Sequence, residues 1–122
     1  MYSEIKSWLD NVLNTEIPDE TKGFIFNLYD DGDDNWSVEI VATSRFDEND
    51  PDWGCDEIDD FGTRDEPFSW EEQAGWETVQ DKCSEIIAEY LSNGEYSGVL
   101  KKAEGVGVGF VDGDLEIIYT RD

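Results

Sequence analysis

The chain has 122 residues, with 32 Asp and Glu against 8 Lys and Arg, no histidine and a formal net charge of −24. On a folded body of roughly 14 Å radius of gyration, that charge repels nucleic acid and anionic lipid at a distance and attracts basic partners. It does not mark disorder, because 38% of the residues are hydrophobic and 13% aromatic, including five Trp, five Tyr and six Phe. The length fits a single acidic α+β domain spanning residues 1–122, with one modest core.

In chain order, Ile5, Trp8, Leu9, Val12 and Leu13 recur at helical spacing over about residues 3–14, with Ser3 as N-cap and Pro18 as terminator. This N-terminal stretch lacks a basic n-region, a continuous apolar h-region and a small-residue cleavage site. The expectation is a cytoplasmic chain. No stretch approaches the roughly 20 apolar residues of a membrane span, so no membrane partner is expected.

Residues 23–29 (GFIFNLY) and 36–42 (WSVEIVA) flank the polar turn DDGDDN and read as a β-hairpin. In the second strand Trp36, Val38 and Ile40 share one face; Ser37 and Glu39 take the other, expected to be the wetter one. Residues 47–60 (DENDPDWGCDEIDD) form a long acidic loop, and loops of that length inside a compact domain are often functional. Ile58 and Phe61 are placed to pin its far end to the core.

Ser69-Trp-Glu-Glu72 matches a capping box opening a second helix. Trp76, Val79, Cys83, Ile86, Ile87, Tyr90 and Leu91 form its core-facing stripe, and Asn93-Gly94 supplies a left-handed C-cap. Trp8, Trp36 and Trp76 all fall on core faces by this reading; Trp70 suits either environment. A shorter helix follows over residues 97–103. The chain closes with a second hairpin, GVGVGFV and LEIIYT around Asp112-Gly-Asp114. Gly105, Gly107 and Gly109 share one face of its first strand, leaving it flat enough for a helix, or a partner's backbone, to approach closely. The expected fold is therefore α+β: an antiparallel sheet of four to five strands (two β-hairpins), with two long amphipathic helices on one face. The fifth strand is sought between Asp60 and Arg64.

Chemistry is less legible. No register of the acidic segments satisfies an EF-hand, because taking Gly32 or Gly113 as position 6 puts Asn27 or Val108 at position 1. With no histidine and two separated cysteines, a zinc or iron site is not expected. Cys83 falls on the helix stripe as a core residue, and Cys55 sits among acids that disfavour its thiolate. There is no nucleophile elbow and no P-loop, and GxGxG runs from helix into strand, the wrong order for a dinucleotide fingerprint. No catalytic residue, cofactor or metal site is therefore assigned.

Twelve of the 32 acids fall in two segments. Asp47, Glu48, Asp50, Asp52, Asp56, Glu57, Asp59 and Asp60 surround Trp53, and Asp30, Asp31, Asp33 and Asp34 occupy the hairpin turn. An aromatic anchor ringed by carboxylates is the composition of a binding hot spot for a basic surface. Trp53 fits equally well as an inward staple, with the acids as its solvated rim.

A small, acidic, Trp-rich α+β domain built from a hairpin, the DWGCDEI loop, a helix and the GVGVGFVDGDLEII hairpin resembles bacterial immunity proteins of toxin–immunity systems. The resemblance implies a tight complex with a basic cognate toxin, often a nuclease, blocked without catalysis. The alternatives are an acidic adaptor, a calcium-responsive interaction domain, and a hydrolase, the last favoured only by two facing carboxylates with displaced pKa values in a deep pocket. Oligomeric state is not readable from the sequence.

Overall fold

The computed structural model describes residues 2–50, 53, 57–63, 66–110, 113 and 115–121, with the backbone alone at residues 59 and 60. The elements are α1 (Tyr2–Leu13), β1 (Gly23–Gly32), β2 (Asn35–Thr43), β3 (Glu57–Gly62), β4 (Phe68–Glu71), α2 (Trp76–Asn93), α3 (Ser97–Lys101), β5 (Gly105–Phe110) and β6 (Glu116–Thr120). The fold is α+β, and among the described residues the sheet has six strands in the order β3-β2-β1-β5-β6, with β4 also paired to β2. None of the described helices is long and apolar enough to cross a membrane.

The sheet is mixed, not purely antiparallel as expected. β1 pairs with β2 antiparallel and with β5 parallel, Gly23 lying opposite Gly105 and Leu28 opposite Phe110. Two hairpins joined end to end would keep every pair antiparallel. Here α2 and α3 carry the chain back before β5 begins, and such a crossover is what parallel neighbours require. Among the described residues the helices number three, of which α3 has five residues.

β2 has two partners along its outer edge. β4 pairs with its first half, from Asn35↔Glu71 to Val38↔Phe68, and β3 with its second half at Val41 and Thr43. Thr63 bridges the gap: its N–H donates to Ile40 O (3.2 Å), and its Oγ1 accepts from Ile40 N–H (3.0 Å). β4 replaces the expected capping box. Phe68 and Trp70 alternate with exposed Ser69 and Glu71, a period of two that suits a strand on an open edge. α2 consequently starts at Trp76, with Gly75 as an N-cap that makes no side-chain capping bond. At its other end Gly94 is extended (φ −69°, ψ 147°), not left-handed. Glycine is needed there for space, since a Cβ would lie 2.6 Å from the Tyr90 ring. Ser3 lies inside α1 and donates to Glu4 Oε2.

The main core lies between the helices and one sheet face. Phe24, Phe26 and Leu28 of β1, Trp36, Val38 and Ile40 of β2, and Val106 and Val108 of β5 pack on Ile5, Leu9, Leu13, Val79, Cys83, Ile87 and Leu100. Ile58 and Phe61 join it from β3, as their spacing led one to expect. Tyr90 Oη ties the helices together by donating to Asp10 Oδ1 (2.8 Å) and accepting from Tyr96 N–H (3.2 Å). Burial pushes the Cys83 thiol up to about 12, which keeps it a protonated core residue.

Candidate functional site

The opposite sheet face is covered too, by Trp53 of the acidic segment and by apolar side chains from either side of it in the chain. Ile25, Val41 and Trp53 form a second small core, joined by Phe46, Leu115 and Ile117. Phe46 and Trp53 meet edge to face with ring centroids 4.8 Å apart. The glycine stripe makes this possible. A Cβ at Gly105 would run into the Phe46 ring, one at Gly23 would lie 2.6 Å from Trp53 Cζ3, and one at Gly107 would lie 3.0 Å from Leu115. Neither a helix nor a partner backbone occupies those flat positions; aromatic and leucine side chains of the same chain do.

Trp53 is 1% exposed, so its indole faces inward and does not present itself to a partner. Of the two readings of this residue, the structure has the staple. The expected wet face is likewise dry: Glu39 is 1% exposed. It accepts from Tyr29 Oη (2.8 Å) and Asn27 Nδ2 (3.3 Å), neighbours on the same face of β1.

Of the loop carboxylates, Asp47, Glu48 and Glu57 are exposed, and Asp50 is partly buried in an ion pair with Arg45. Asp52, Asp56 and Cys55, and the side chains of Asp59 and Asp60, lie outside the described residues. Among the described residues, no group of three or more Cys, Asp or Glu side chains is placed to hold a metal ion.

The hairpin carboxylates Asp30, Asp31, Asp33 and Asp34 are all exposed, at the other end of the sheet. β1 and β2 separate them from the 47–60 loop by about nine residues of strand, on the order of 30 Å. The fold does not bring the two acidic segments together. The turn is a two-residue connection between Gly32 and Asn35, with both central residues at positive φ (Asp33 55°, Asp34 65°), the arrangement that matches strand twist. Gly32, placed at the turn's centre by the sequence pattern, instead precedes it at φ 86°, where the register shifts. Asp30 Oδ1 and Asn35 Nδ2 brace the loop through hydrogen bonds to Gly32 N–H, and to the Gly32 and Asp33 carbonyls. Because glycine occupies the left-handed region without the Cβ penalty, Asp34→Gly is expected to stabilise the fold by about 0.5 kcal/mol. An upward shift of the urea midpoint at unchanged m-value would show it.

Beside this turn lies the one large hydrophobic side chain that is well exposed among the described residues, Trp76 at 56%. Its helical spacing puts it on the α2 core stripe, but the stripe overruns the end of the sheet. Trp76 meets only the edge of that core, packing at 6.1 Å on half-buried Phe110, the last residue of β5, which packs in turn at 5.9 Å on Trp36. Trp36 Nε1 donates to Glu72 O (2.9 Å), and Glu72 N–H donates to Asp34 O (2.8 Å), locking the turn, β4 and the aromatic row together. Trp70 is half-buried beside them, its Nε1 donating to Glu72 Oε1 (3.1 Å). A shallow open groove runs along this end, lined by Asp31, Asn35, Trp36, Ser69, Trp70 and Glu71. A larger one of about 560 Å³ lies between α1 and β3, lined by Trp8, Val12, Phe61, Thr63, Glu16 and Glu66 among others.

The fold and this surface define a small α+β domain with a mixed sheet, an acidic turn and an aromatic row at one end. No protein-family model, no curated protein and no solved structure matches the chain.

Proposed function

We propose that this is a cytoplasmic, stoichiometric protein-binding inhibitor that neutralises a basic partner, in the manner of an immunity protein acting on a cognate toxin such as a nuclease. The observation that carries the reading is a net charge of −24 on a body with two packed cores, with twelve of its 32 acids in two segments where seven of the eight described carboxylates are exposed. Such a surface can set carboxylates where phosphates would lie in a basic cleft, competing with nucleic acid by charge alone. A general acidic adaptor is the second reading. It predicts charge spread evenly, whereas Lys22, Arg45, Lys101, Lys102 and Arg121 gather at one end of the sheet, as their backbone and side-chain bonds there indicate.

Affinity capture from the source cell at low salt, followed by light scattering of the complex, tests the proposal. The expected result is a one-to-one complex with a basic protein whose activity is lost on binding. Association is expected to slow at least about tenfold between 0.05 and 0.5 M salt, as electrostatic steering is screened. A partner that keeps its activity in the complex, or associates at one rate across that range, overturns it.

A further inference from the structure

We infer that the docking surface for the basic partner is the hairpin-turn end of the sheet, with Trp76 as its aromatic anchor and Asp30, Asp31, Asp33, Asp34, Glu71 and Glu77 as its acidic rim. The inference rests on the reading of the chain as a binder of basic proteins, and it moves the contact away from the 47–60 loop.

Charge is segregated along the strands. At the far end Lys22 N–H donates to Thr43 O, and Lys22 Nζ pairs with Glu104 Oε2. There too Arg45 pairs with Asp50, Arg121 N–H donates to Glu104 O, and Arg121 Nη1 donates to Lys102 O. With Lys101, whose carbonyl accepts from Tyr119 Oη, five of the eight bases are gathered at the end of the sheet where the 47–60 segment begins, and Arg45 offsets Asp50 of that segment. At the turn end, the base that these contacts place nearby is Lys82, and Glu72 already pairs with it at 3.2 Å. A cation approaching the turn therefore meets the exposed carboxylates of Asp30, Asp31, Asp33, Asp34, Glu71 and Glu77.

The aromatic residue is independent of that charge. Among the described residues the Trp76 ring pairs with that of Phe110 and is otherwise more than half in water, and tryptophan is among the residue types most enriched at binding hot spots. An exposed indole at the acidic end of the sheet suits an arginine-bearing partner: a guanidinium stacks on the ring while neighbouring basic groups meet the acids of the turn. The backbone of the Asp33-Asp34 turn is braced before binding by the hydrogen bonds around it, which lowers the ordering cost of a complex there. A second copy of this chain is a poor occupant. A two-fold contact would set each acidic rim against its own duplicate, at a Coulomb cost that Lys82, already paired with Glu72, does not offset.

An octa-arginine peptide titrated into the isotope-labelled protein in 0.15 M salt, followed by NMR, tests this. Shifts are expected to concentrate on the Trp76 indole N–H and on the amides of residues 30–35 and 71–77. Trp76→Ala, which leaves net charge unchanged, is expected to weaken binding about fivefold. The pair Asp31→Lys with Asp33→Lys is expected to weaken it more than Asp47→Lys with Glu48→Lys, at equal net charge. Binding by the Trp76→Ala variant at full strength, or equal effects of the two charge pairs, overturns the docking surface while leaving the binder reading standing. No binding by the unaltered protein overturns both.

Discussion

Replacement of Trp53 by alanine is expected to destabilise the protein by about 3–5 kcal/mol, a large share of what a domain of this size possesses. Trp53 is the largest fully buried side chain among the described residues. It rests on Gly23, meets Phe46 edge to face, and closes a core with few other members: Ile25, Val41, Leu115 and Ile117. Removing it takes away the largest side chain of that core and leaves a cavity beside Phe46. Urea denaturation measures the loss. Trp53→Phe, which keeps a ring over Gly23, is expected to cost roughly half as much. A loss below about 1 kcal/mol for the alanine variant would mean that the indole is not the staple of this loop.

Glu39→Ala is expected to cost about 3 kcal/mol, which is more than its single exposed-surface counterparts would show. The carboxylate is buried on β2 and accepts from both Tyr29 and Asn27. Alanine leaves the Tyr29 hydroxyl and the Asn27 amide facing a void, and a buried donor left without its acceptor costs about 1–3 kcal/mol. Glu39→Gln keeps the shape and one acceptor oxygen, so about half the penalty is expected. Equal losses for Gln and Ala would show that the charge, and not the acceptor geometry, carries the effect.

Much of this architecture was legible. The alternation Trp36, Val38, Ile40 identified the helix-covered face of β2, and the stripe from Val79 to Leu91 placed α2 against it. What failed did so for identifiable reasons. Ser69-Trp-Glu-Glu72 carries a capping pattern and a period-two pattern together, and the open edge of β2 chose the second. Glu39 was assigned to a wet face because nothing local to it says that Phe46 and Trp53 fold back over that side. The direction of β5 is invisible to alternation, which fixes faces but not neighbours. Trp76 obeys the helical period of its stripe, and only the length of β5, ending at Phe110, decides that it overhangs. The acids were visible as clusters, yet their distribution about the fold depended on where the bases came to lie.

The parallel pairing of β1 with β5 also bears on how the chain is made. Gly23 waits for Gly105, 82 positions later, so the middle of the sheet cannot close until most of the chain has left the ribosome. Until then the inner edge of β1 is an open template of unpaired peptide groups between two apolar faces, the situation that invites pairing with another chain. A nascent protein carrying most of its 32 acids in that interval repels its own copies, which holds off aggregation while the last strands arrive.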